Sequence, residues 1–73
     1  MNGMNKLKHY RKEKGLTQTQ LGALLKTPIS QGAVGHHETG ARTPDVYVAA
    51  EYAAILGVSV EELFPAPEMT TAA

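Results

Sequence analysis

The sequence predicts an all-α fold, a compact bundle of five short helices. Three observations predict it. Apolar residues recur at three- and four-residue spacing and do not alternate. Glycine and proline punctuate the chain at helix-length intervals, most helix starts being marked by a threonine or serine cap. The apolar supply, 42% of 73 residues, is rich in alanine and holds only three Tyr and one Phe, which suits closely approaching helices better than a sandwich.

The first helix is expected from Met4 to Lys14, with Met4, Leu7 and Tyr10 on one face and Gly15 as a left-handed stop. Thr17-Gln18-Thr19-Gln20 has the form of a capping box opening a second helix that runs to about Leu25. Its apolar residues are Leu21, Leu24 and Leu25, and Gly22 leaves room for another helix to pack close. Pro28 breaks the pattern within Lys26-Thr27-Pro28-Ile29. Ser30 then caps a third helix that ends near Thr39, at Gly40. Thr43-Pro44 restarts the chain as a cap with proline at the first helical position. The fourth helix spans roughly 44–56, with Val46, Ala49, Tyr52, Ala53 and Leu56 inward and Gly57 as its stop. Ser59-Val60-Glu61-Glu62 repeats the capping box before a one- or two-turn fifth helix ended by Pro65. Residues 1–65 thus read as one domain and 66–73, without periodicity, as a disordered tail.

Composition excludes several classes. No cysteine means no disulfide, thiolate zinc site or cysteine nucleophile. Apolar runs are too short for a membrane span, and Met1-Asn2-Gly3-Met4 lacks a signal peptide's build, so a cytoplasmic protein is expected. There is no glycine-rich phosphate loop and no carboxylate pair or serine–histidine arrangement at a telling spacing, so no enzyme and no cofactor is expected. His36, His37 and Glu38 are adjacent, and neighbouring helical residues point apart, so no metal site is expected. A small-molecule ligand is not expected either.

The formal net charge is zero, yet it is unevenly spread. All seven basic residues lie in positions 1–42 against two acids, Glu13 and Glu38, whereas positions 43–73 carry five acids and no base. One half of the molecule is therefore able to face phosphate.

The string Gly15-Leu16-Thr17-Gln18, Leu21, Ser30-Gln31, Val34, Glu38, Gly40, Arg42, Pro44, Ala53, Leu56-Gly57-Val58-Ser59 and Glu62-Leu63-Phe64 resembles the repressor and Cro family of helix-turn-helix regulators, and the length is similar to stand-alone Cro proteins. The resemblance covers Leu7 to Phe64 and implies a sequence-specific regulator that binds a palindromic double-stranded DNA operator as a homodimer, weak without DNA. It assigns Gln31, Gly32, Gly35 and His36 to base contact, with Gln31 suited to a bidentate pair with adenine. It assigns Thr17, Gln18, Arg11, Thr39 and Arg42 to phosphate contact, and Arg11–Glu38 to an ion pair bracing the first helix against the third. Dimerisation is expected through Val58, Val60, Leu63 and Phe64, where apolar residues exceed what one small core needs. Val34 and His37 are expected to turn inward.

Two departures stand out. Gly32 and Gly35 each cost a helix about 1 kcal/mol relative to alanine; either they let the backbone approach DNA, or the third helix is weak and ordered by DNA. The turn Lys26–Ile29 has four residues where the family commonly has two. The alternative reading is an interaction protein, such as the antitoxin partner of a toxin, that uses the acidic half to bind another protein and also binds DNA.

Overall fold

The computed structural model describes residues 5–65, and among these it has five helices and no strand. They are α1 (Leu7–Glu13), α2 (Gln18–Leu24), α3 (Gln31–Thr39), α4 (Val46–Leu56) and α5 (Val60–Leu63). Met4 and the expected tail at 66–73 lie outside the described residues.

Side chains start most of the helices. Thr17 and Gln20 form a reciprocal capping box on α2, as Ser59 and Glu62 do on α5. Ser30 Oγ accepts from the Ala33 amide at 3.2 Å and opens α3. The start of α1 is held differently: Asn5 Oδ1 accepts from the Leu7 amide at 3.1 Å, and the Lys6 amide donates to the Leu63 carbonyl at 2.8 Å. That second bond ties α1 to α5. Gly15, Gly40 and Gly57 sit at φ of 73°, 86° and 74°, the left-handed conformation that only glycine takes cheaply.

α4 starts two residues later than Thr43-Pro44 suggested. Asp45 is its cap, accepting from the Val48 amide at 2.9 Å. A carboxylate there is a charged acceptor at the positive end of the helix, which favours it over the threonine hydroxyl. Pro44 then precedes the helix.

The core is built from Leu7, Leu21, Val34, Tyr52 and Leu63, all fully buried, with Leu25 and Leu56 beside them. Two residues expected inside are not. Leu24 is 54% exposed because Leu21, Gly22 and Leu25 define the inward arc of α2, and at 100° per residue Leu24 lies about 100° from its centre. Val46 is 69% exposed at the first position of α4, one turn before the buried stripe begins at Ala49.

The long turn is folded back and held. The Ile29 amide donates to the Gly22 carbonyl at 3.2 Å, and the Lys26 amide donates to Glu51 Oε1 on α4 at 2.8 Å. Gly22 is required by this path. A Cβ there would lie 2.4 Å from the Ile29 carbonyl oxygen and 3.2 Å from Val34 Cγ2. The two extra residues thus pass over the α2 backbone at its one side-chain-free position, and α2 still packs closely on α3.

Candidate nucleic-acid interface

α3 presents two chemically different faces. Val34 and His37 turn inward; Gln31, Gly32 and His36 are exposed, and Gly35 is half-buried. His36 and His37 therefore diverge, as adjacent helical residues must.

His37 is a structural residue. Its Nδ1 lies 2.7 Å from the Tyr52 hydroxyl, the rings meet edge to face, and its carbonyl accepts from Asn5 Nδ2 at 2.8 Å. Burial lowers the His37 pKa, reinforced by Arg42 and His36 and opposed by Asp45. Burial raises that of Tyr52, with Glu38 adding to the effect. Both groups are thus neutral near pH 7, and one hydrogen bond joins the Tyr52 hydroxyl to His37 Nδ1.

On the side of α3 facing α1 and α2 runs a hydrogen-bonded chain. Arg11 donates through Nε and Nη2 to Glu38, and through Nη1 to the Leu16 carbonyl at 2.7 Å. Glu38 Oε1 accepts from Gln18 Nε2 at 2.9 Å, and Gln18 Oε1 accepts from Gln31 Nε2 at 3.0 Å. Gly35 lies under this chain: a Cβ there would be 3.4 Å from Gln18 Nε2.

The structure contains the expected Arg11–Glu38 pair and revises what surrounds it. Arg11 is only 7% exposed and donates to Glu38 and Leu16 through all three of its nitrogens, so it braces helices. Gln18 is engaged on both sides of its amide. Thr39 Oγ1 donates to the His36 carbonyl and accepts from the Ala41 amide, both at 3.3 Å, and so closes its own helix. Arg42 is exposed beyond the end of α3, as are Lys26 and Thr17 beside α2. Leu63 is fully buried in its own core and unavailable to a partner, and Phe64 packs on Tyr52. Of the expected pairing residues, Val60 is the exposed one, at 37%. Sequence reasoning missed Glu51, which fixes the turn, and the link that Gln18 makes between Glu38 and Gln31. Neither carries a sequence signal, because both partners lie far apart in the chain.

A helix-turn-helix family model matches residues 7–63. That match spans α1 through α5. The chain belongs to the Cro/C1-type helix-turn-helix family. No curated protein sequence matches it. Among solved structures, this helix-turn-helix chain is similar to the restriction-modification controller protein C.AhdI from Aeromonas hydrophila, at 30% identity and a TM-score of 0.70, over 81% of this chain and 86% of that one. It is similar to the BldD DNA-binding domain of S. venezulae at 33% identity and a TM-score of 0.68, over 82% and 87%. The P22 c2 repressor, solved with a synthetic operator, shares the fold at 18% identity and a TM-score of 0.72, over 84% and 89%. No helix among the described residues is long and apolar enough to cross a membrane.

Proposed function

We propose that this protein is a sequence-specific transcriptional regulator that lays α3 in the major groove of operator DNA. One observation carries the reading: the exposed face of α3 presents Gln31, held by Gln18, beside Gly32 and His36, with no bulky side chain between them. A major groove about 12 Å wide admits such a helix. Gln31 is the principal base reader and, as a glutamine, suits adenine. His36 makes a second contact, and the bare backbone at Gly32 lets the helix sit deep. Arg42, Lys26 and Thr17 hold phosphates on either side; the Thr17 hydroxyl accepts its cap bond and still has a proton to donate.

One helix reads few base pairs, so the regulator acts as a homodimer on a palindromic site with half-sites about one helical turn apart. Val60, with the half-buried Val58 and Phe64, supplies the pairing surface. The dimer is weak in the absence of DNA.

The test is selection from a pool of randomised duplexes by the isolated chain. The reading predicts enrichment of a palindrome, and Gln31→Ala that still folds but loses preference at one position in each half-site. Recovery of unenriched DNA, or an unchanged preference in Gln31→Ala, would overturn it.

A further inference from the structure

The chain Arg11–Glu38–Gln18–Gln31 has a direction that chemistry imposes. A glutamine amide has a donor end and an acceptor end, and either can point at a neighbour. A carboxylate paired with a guanidinium only accepts. Glu38, with a side chain 3% exposed and both oxygens used by Arg11, therefore requires the NH₂ of Gln18. That leaves the Gln18 oxygen facing α3. Gln31 must in turn offer its NH₂, as found at 3.0 Å. Its other N–H and its oxygen then face outward in one fixed order. Gly35 lies beneath Gln18, whose Nε2 is 3.4 Å from where a Cβ would be, the distance of an ordinary packing contact.

We infer that the buried Arg11–Glu38 pair, acting through Gln18, sets the donor–acceptor order that Gln31 shows to a base. Arg11, Glu38 and Gln18 are positioning residues: they touch no base and still fix which base is read. The inference rests on the reading that α3 enters the major groove. With donor and acceptor in the fixed order, Gln31 matches adenine N7 and N6–H; with the order reversed, donor meets donor and acceptor meets acceptor.

The inference predicts an inversion and a rescue. In Glu38→Gln, Arg11 holds the new oxygen, so the new NH₂ faces Gln18. Gln18 then turns its oxygen to residue 38 and its NH₂ to Gln31, which reverses. Adding Gln18→Glu restores an acceptor-only group next to Gln31 and so restores the original order.

The readout is the ratio of affinities for four duplexes that differ only at the position Gln31 reads. A ratio within one variant is insensitive to the fraction folded. The wild type is expected to favour adenine by about tenfold or more, Glu38→Gln to lose that preference, and the double variant to regain it even as its added carboxylate weakens every duplex alike. An unchanged ratio in Glu38→Gln, or no recovery in the double variant, overturns the inference. A DNA-free arm keeps it separable from the proposed function. By NMR, one Gln31 side-chain amide proton should exchange more slowly in the wild type than in Gln18→Ala. Equal exchange overturns the relay, whatever the DNA result. A slow proton together with no selective DNA binding sustains the relay and refutes the regulator reading.

Discussion

Replacing Gly22 by alanine tests how the long turn is accommodated. A Cβ at position 22 would sit 2.4 Å from the Ile29 carbonyl oxygen, which is backbone and cannot rotate away, and 3.2 Å from Val34 Cγ2. Relief requires a backbone shift of about 1 Å to reach ordinary contact, at an overpacking cost of about 1–3 kcal/mol. The Ile29 amide bond to the Gly22 carbonyl, at 3.2 Å, weakens as Ile29 moves, costing about 1 kcal/mol more. Alanine's better helix propensity returns about 1 kcal/mol. The net expectation is a destabilisation of about 1–3 kcal/mol, or a Tm lower by roughly 5–20 °C in a domain of this size. Because Ile29 precedes the Ser30 cap, α3 should shift as well and DNA affinity should fall. Thermal unfolding followed by circular dichroism measures the first effect. A Gly22→Ala protein that melts at or above the wild-type temperature would refute the proposed packing of the turn.

Other substitutions probe other parts. Gly32→Ala should stabilise the free protein by about 0.5–1 kcal/mol, since the nearest atom to a Cβ there is Ser30 Oγ at 3.9 Å, while weakening binding to the selected duplex; a gain in both would remove the close-approach role of Gly32. Arg11→Met leaves Glu38 buried without its cation and should cost about 3–5 kcal/mol, much of which Arg11→Met/Glu38→Leu recovers; chemical denaturation checks both. Stability should also fall in mild acid. The folded-state pKa of His37 is depressed below its unfolded value near 6.5, so its contribution is present above about pH 6.5 and is lost as the pH drops below that. His37→Gln keeps a hydrogen-bond partner for the Tyr52 hydroxyl and does not titrate, so its Tm should vary less between pH 7.5 and 5.5 than the wild type's.

The parts legible in the sequence were those decided within a few residues. The capping boxes at Thr17 and Ser59, the Ser30 cap and the stops at Gly15, Gly40 and Gly57 are local hydrogen-bond and backbone problems, and the structure solves them at those residues. Where two local solutions competed, the start of α4 went to Asp45, not Thr43. Periodicity named the inner arcs of α2 and α4 but added Leu24, off the side of the α2 arc, and Val46, one turn before the buried stripe of α4, because how much of a helix its neighbours cover is not a local property. The Arg11–Glu38 pair was legible only through family resemblance. That Gln18 links it to Gln31 depends on contacts 20 and 13 residues apart in sequence, which spacing does not encode. Leu63 looked like surplus surface because a short helix read alone has nothing to bury against; α1 and α4 supply it.

A net charge of zero conceals a face proposed to read DNA. Equilibrium binding of the isolated chain to its selected palindrome and to a scrambled duplex, across a salt series, tests this most directly. Binding to the palindrome should be tighter at every salt concentration, with a log–log salt slope of about −0.9 per phosphate neutralised. Equal affinity for the two duplexes, or affinity that does not change with salt, would contradict it.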